Sequence, residues 1–291
     1  MFADLHCHSL FSVDGWVTPE ELAEKESERG IDVLALTDHN TIDGLKRCRL
    51  RTEQLGMRFI NGCEFDAMRD GVEYHFVALG FDPGNVLLRE LCKRQFSRYA
   101  LNFDRIMPVL EQRYGICRED LEKRLPVRYR THPAPVMNKW FARGALMELV
   151  GLPDIKTASG KVSEAVREAE RDVKDPWGWA GMVEVRDAVH NAGGIILLAH
   201  PAGYLRGDFE AQKALIEAML EEGLDGFELY HPSAMMEEHF SKLVDLAREL
   251  RCVVSGGSDS HFAGGKAPTD FGGSSAPDWV LDTIDPILRS K

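Results

Sequence analysis

Short apolar runs alternate with stretches of helical period at both ends of the chain. Phe2 to Leu5 reads as a strand, and Thr18-Pro19-Glu20-Glu21 opens a helix that ends at Gly30. Thr18 offers an acceptor to the open N–H groups of the first turn. Pro19 suits the first helical position, where a missing N–H costs nothing. Asp32 to Leu36 is predicted as the next strand, Thr41 to Leu55 as a helix stopped by Gly56, and Arg58 to Cys63 as a third strand. Val72 to Gly80 is the fourth, joined to the third through the Asp70-Gly71 turn pair. The rhythm resumes with helix Met182 to Ala192 and strand Ile195 to Ala199. Helix Phe209 to Glu222 and strand Gly226 to Tyr230 follow, then helix Met236 to Leu250 and strand Cys252 to Ser255.

Alternating strands and helices with β-rich apolar runs predict an α/β fold around a mostly parallel sheet. Seven such strands suit closure into a β/α, TIM-like barrel better than two separate domains. Between about Asn85 and Trp179 the rhythm gives way to helical segments broken by Pro126, Pro133, Pro135 and Pro153. The expected organisation is a barrel from residues 1–85 and 182–291, with a mostly helical insertion, a cap, over 86–181.

Charge adds an asymmetry. The 291 residues carry a formal charge of −12, which argues against wide contact with duplex nucleic acid. Yet Arg89 to Arg143 holds 13 basic against 6 acidic residues, net +7, leaving −19 on the remainder. No apolar run reaches the length of a membrane span. The first residues lack the basic start and apolar stretch of a secretion signal, so no membrane partner and a cytoplasmic location are expected. Cys7, Cys48, Cys63, Cys92, Cys117 and Cys252 are scattered without a C-x-x-C pair, which disfavours a disulfide framework or a thiolate metal site.

The informative feature is where the metal-competent side chains fall. The first strand runs into His6-Cys7-His8, and a period of two places both imidazoles on one face. The second ends in Asp38-His39, the third at Glu64, the fourth contains His75, a later one ends at His200, and the last runs into Asp259-Ser260-His261. Asp259 and His261 are again expected on one face. In parallel α/β barrels this strand end is where active sites assemble. Mixed imidazole and carboxylate donors suit Zn, Mn or Fe, with Mg on the carboxylate side.

The set Asp4-Leu5-His6-Cys7-His8-Ser9, Thr37-Asp38-His39-Asn40, Gly62-Cys63-Glu64, Ala199-His200-Pro201 and Gly257-Ser258-Asp259-Ser260-His261 resembles the PHP (polymerase and histidinol phosphatase) superfamily. That resemblance implies a distorted seven-stranded barrel and a metal-dependent phosphoesterase, with about two to three divalent ions and a hydroxide held between metals as nucleophile. It also implies the ligand wiring. His6, His8, Glu64 and Asp259 would hold one ion, and Glu64 would bridge to a second completed by His75 and His200. Asp14, His39 and His261 would hold a third, with Asp38 orienting His39. Glu64, Asp14 and His200 are the expected catalytic centre. Ser12-Val13-Asp14-Gly15 and the insertion are similar to the branch acting on nucleoside 3′,5′-bisphosphates and short oligonucleotides, which implies a small phosphorylated substrate. Arg94, Arg98, Arg105, Arg130, His132, Lys139, Arg206 and His231 are the candidate substrate contacts. Two other readings stand beside this one: a histidinol-phosphate phosphatase, and a metal-stabilised scaffold module without activity.

Overall fold

In a computed structural model of the protein, residues 1–124, 139–174, 177–261, 270 and 272–289 are described. Two compact units emerge, one from Met1–Lys93 with Ala180–Lys291, the other from Arg94–Trp179.

The first unit is a barrel. Its strands are β1 (Phe2–Asp4), β2 (Val33–Leu36), β3 (Arg58–Arg69), β4 (Val72–Leu79), β5 (Ile195–Leu198), β6 (Gly226–Tyr230), β7 (Val253–Gly256) and a two-residue β8 (Ala276–Pro277). They lie in the order β7-β6-β5-β4-β3-β2-β1-β8. The chain beyond β1 closes the ring against β7: Leu5 N donates to Gly256 O at 3.0 Å, Asp259 N to His6 O at 2.8 Å and His8 N to Ser260 O at 2.9 Å. Gly257 permits this approach, since a Cβ there would stand 2.4 Å from His6 N and 2.7 Å from Asp4 Oδ1. Every residue of β2 and β5 is buried, as expected of strands covered on both faces.

The helices of this unit fit their caps. Thr18 and Glu21 form a reciprocal capping box at the start of α1 (Pro19–Glu28). α2 spans Leu45–Gln54, shorter than its apolar pattern suggests, because the segment before it is committed to the loop that carries His39. The predicted helix from Met236 begins only at Phe240; His231 instead caps a separate short turn, Pro232–Met235.

One strand expectation is corrected. β3 does not stop at Cys63; it continues six residues to Arg69 and turns through Asp70 (φ 52°) and Gly71 (φ 79°) into β4. β4 pairs antiparallel with both β3 and β5; Glu64 sits within β3 rather than at its end, and His75 lies within β4 as expected. A two-residue turn with both residues left-handed is the connection that joins antiparallel neighbours.

The second unit takes most of α3 (Val86–Tyr114), then α4 (Arg118–Glu122), α5 (Lys139–Val150) and α6 (Ile155–Ala169). Its own core gathers Phe103, Ile106, Leu110, Leu121, Leu146 and Val162. Its charge is milder than its first half suggests: Arg94–Trp179 carries 16 basic and 12 acidic residues, net +4, leaving −16 on the rest. Several of these charges pair within the unit, among them Arg113 with Glu168, Arg118 with Asp104 and Arg124 with Glu148.

Candidate metal centre

Glu64 is the hub. It is 1% exposed, on the inner face of β3, and its two oxygens face different histidines. Oε2 lies 3.1 Å from His6 Nε2, 3.3 Å from His8 Nε2 and 3.3 Å from His39 Nε2. Oε1 lies 3.1 Å from His75 Nδ1 and 3.2 Å from His200 Nε2. Burial alone would raise this carboxyl, but the charges of His6, His39 and His75 outweigh it and hold the group well below its ordinary range.

His6 and His8 arrive together from the extended chain after β1, while Cys7 between them turns away to donate to Ala35 O. Asp259 Oδ1 meets both, at 3.4 Å from His6 Nε2 and 3.2 Å from His8 Nε2. The Asp259-Ser260-His261 expectation needs correcting in its reason. Asp259 has φ 53°, so the two side chains share the site through a left-handed turn, not through strand alternation. His261 Nδ1 donates back to Asp259 O at 2.8 Å, which leaves Nε2 aimed at Asp14 Oδ2, 3.2 Å away.

Asn40 (φ 53°) and His200 (φ 32°) are also left-handed non-glycine residues at this end of the barrel. Each such residue costs roughly 1–3 kcal/mol, so surrounding bonds must hold it. Asn40 is fixed by its side chain, whose amide donates to Asp66 Oδ2 at 2.6 Å while its oxygen accepts from Asp66 N at 3.1 Å.

The Asp14 loop is organised by Ser12. Its hydroxyl donates to Asp14 Oδ1 at 2.7 Å and accepts from His39 N at 3.2 Å. A hydroxyl has one proton to give, so the 3.3 Å contact to His8 Nδ1 makes that nitrogen the donor and leaves Nε2 as the nitrogen turned toward Glu64 and Asp259. Gly15 lets the loop fold back, because a Cβ there would stand 1.9 Å from Ser9 O. Asp38 does not orient His39: it accepts from Ser9 N at 2.6 Å and Ser9 Oγ at 2.8 Å, latching the loop. Burial pushes Asp38 up to about 6 even against those two bonds.

Overlapping sets of these side chains could each hold a cation, with ligand atoms within 4.8 Å of one another: His6, His8, Glu64 and Asp259; His8, Asp14, His39 and His261; His39, Glu64 and His75; and Asp66, Glu73 and His75. His39 thus stands between two sets, and His200 falls outside all four despite its contact with Glu64 Oε1. The residues fit metal ions on two counts. His8 Nε2 is fully buried and has no hydrogen-bond partner, although two carboxylate oxygens converge beside it. Among the described residues, Glu64, Asp14, Glu228 and Asp259 have only histidines as cationic partners.

Asp66, Glu228 and Ser12 were missed as site residues by sequence reasoning. Asp66 follows Glu64 by two on β3 and so shares its face, a signal hidden by ending the strand at Cys63. Its Oδ1 lies 3.2 Å from His75 Nε2 and 3.4 Å from His39 Nδ1. Of the candidate substrate contacts, His231 is 7% exposed and reaches Asp259 Oδ2 through Nε2 at 3.3 Å, while its Nδ1 accepts from Ser233 N. Arg94 and Arg206 are exposed, Arg105 donates to Asn102, and Arg98 is half-buried with Nε unpartnered. Arg130, His132 and the Lys139 side chain lie outside the described residues.

Protons compete with cations for these donors. Burial would lower His39 and His261, but Glu64, Asp14 and Asp66 raise His39 to about 10, and Asp14 raises His261 to about 9. Without a cation both would be protonated at neutral pH, and a cation would have to displace those protons to bind. Metal uptake at pH 7 is therefore expected to release protons, and apparent affinity to weaken as pH falls. Calorimetric titrations in buffers of different ionisation heat check this; equal heats in all buffers would contradict it.

A β/α barrel that gathers imidazoles and carboxylates at one end, with no Lys or Arg on its hub among the described residues, has the make-up of a metal-dependent hydrolase scaffold. Residues 4–115 match the PHP domain. The chain is 30% identical over 278 residues to a phosphoribosyl 1,2-cyclic phosphate 1,2-diphosphodiesterase of Eggerthella lenta, covering 92% of this chain and 97% of that one. It is 27% identical to a 3′,5′-nucleoside bisphosphate phosphatase of Chromobacterium violaceum, covering 90% and 87%. Among solved structures, a putative metal-dependent phosphoesterase of Bifidobacterium adolescentis superposes with a TM-score of 0.77 at 25% identity, covering 98% and 96%. The chain belongs to the PHP-domain family and is an enzyme of the phosphoesterase class.

Proposed function

We propose that the protein hydrolyses phosphate esters of ribose-based substrates that carry a second phosphate, of the nucleoside 3′,5′-bisphosphate or short-oligonucleotide type. The observation that carries the reaction class is the division of Glu64: one oxygen serves His6, His8 and His39, the other His75 and His200. That is the arrangement of a carboxylate shared by two cation positions. His6, His8, Glu64 and Asp259 would hold the first ion, Glu64, His75 and His200 the second, and Asp14, His39 and His261 a third. Divalent ions bound there supply Lewis acidity toward phosphoryl oxygens and lower the pKa of a water. The chain's own part is to fix these donors: Ser12 holds His8 by Nδ1 so that Nε2 is the nitrogen turned to the site, and the left-handed turns at His200 and Asp259 aim both side chains inward.

The substrate class rests on different ground. The substrate names of the Eggerthella and Chromobacterium relatives each describe a sugar unit with two phosphate groups. A substrate with two phosphates is strongly anionic, and the second unit is net positive where the rest of the chain is strongly negative. Phosphate release from a panel of nucleoside bisphosphates, short oligoribonucleotides, a phosphoribosyl cyclic phosphate, histidinol phosphate and an aryl phosphate tests the reading. Two-phosphate substrates are expected to be preferred over histidinol phosphate and the aryl phosphate. A preference for histidinol phosphate or the aryl phosphate would overturn it.

A further inference from the structure

The metal site has a partner on β6 that no motif points to. Glu228 is fully buried among the apolar residues of that strand, an environment that demands a specific partner for a carboxylate. It has two. Oε1 lies 3.0 Å from His6 Nδ1, and Oε2 accepts from the backbone N–H of His200 at 2.9 Å. An ionised carboxylate only accepts, so the first contact keeps a proton on His6 Nδ1 and makes Nε2, which faces Glu64 and Asp259, the nitrogen that would give up its proton to a cation. The second contact anchors the peptide at which His200 is forced to φ 32°, the geometry that brings its Nε2 to the other oxygen of Glu64. We infer that Glu228 is a positioning residue that sets the donor atom of His6 and the backbone turn of His200, and so aligns ligands on both sides of Glu64 at once.

Alternatives within reach of His6 are few. Its ring packs on those of His8, His200 and His231, none of which offers Nδ1 an anion. Gln at position 228 keeps the shape of Glu, but it cannot accept with both ends. If its oxygen takes the His200 N–H, its NH₂ faces His6 Nδ1 and favours the proton on Nε2, the nitrogen needed for a metal. Partners of this kind are typically worth about 10–100-fold in metal affinity.

This inference rests on the proposed metal site, and its test separates the two. Metal-free protein and Glu228→Gln are titrated with Mn²⁺ and, separately, Zn²⁺, with bound metal counted by elemental analysis and folding followed by circular dichroism. The expected result is a folded variant with affinity lowered about 10–100-fold. A folded variant with parental affinity and stoichiometry would overturn the role of Glu228 alone, whereas a parent that binds neither metal would overturn the metal site itself. Should the variant not fold, the zinc-loaded parent labelled with ¹⁵N-histidine decides. His6 is expected with its proton on Nδ1 and its Nε2 bound to metal, and the reverse arrangement would overturn the inference.

Discussion

Glu64→Gln is expected to remove hydrolysis and most of the bound metal while leaving the barrel folded. The substitution keeps the side-chain volume within β3 and changes only what its end can accept. In the parent, five imidazole nitrogens approach the two oxygens within 3.1–3.3 Å. An amide offers one oxygen and one NH₂, so either the His6–His8–His39 side or the His75–His200 side faces a donor and loses its shared anion. Removing a bridging charge costs several kcal/mol of transition-state stabilisation, on the order of 10³-fold or more in kcat/KM. Steady-state phosphate release with elemental analysis measures it. A variant keeping parental metal content and more than about a tenth of the activity would remove Glu64 from the centre of the account.

The double change His6→Ala with His8→Ala should act on one side of Glu64 only. These two imidazoles supply half of the four-residue set with Glu64 and Asp259, and Asp259 would be left facing an emptied corner. One ion per chain is expected to be lost, with activity down by several orders of magnitude, while the His75–His200 side keeps its contacts to Oε1. Asp14→Ala is a milder contrast. Asp14 touches His39 and His261 but not Glu64, so the Glu64-centred ions should persist. Metal counts per chain across the variants check the division. An unchanged count in the double variant would contradict the assignment of His6 and His8.

Most of the nine candidate metal positions drew notice because they fall at or within strand-like apolar runs, Asp14 only through the family resemblance, and the structure brings the nine side chains together in overlapping clusters. What the sequence hid was the means of their convergence. Alternation explains His6 and His8, but Asp259 and His200 depend on left-handed backbone, which no apolar pattern announces. The length of β3 was concealed because Glu64 and Asp66 interrupt an apolar run that continues through Phe65 and Ala67, both fully buried. Polar residues on the inner face of a strand read as its end. Glu228 had the same disguise in reverse: one acid inside Gly226–Tyr230 looks like an outward residue of a half-exposed strand, yet it is fully buried. Asp38 was misread because adjacency to His39 in sequence suggested contact, whereas its carboxylate is committed to Ser9. The charge of the insertion was overstated by stopping at Arg143, before Glu148, Glu164 and Glu168, which pair with Arg124 and Arg113.

Metal stripping and reconstitution test the central claim most directly. Protein expressed in metal-replete medium should carry about two or more divalent ions per chain. After chelation and removal of the chelator, phosphate release from a nucleoside 3′,5′-bisphosphate should fall to background and return on adding Mn²⁺, Zn²⁺ or Fe²⁺. Hydrolysis that persists at full rate in protein shown by elemental analysis to hold under about one ion per ten chains would contradict a metal-centred phosphoesterase.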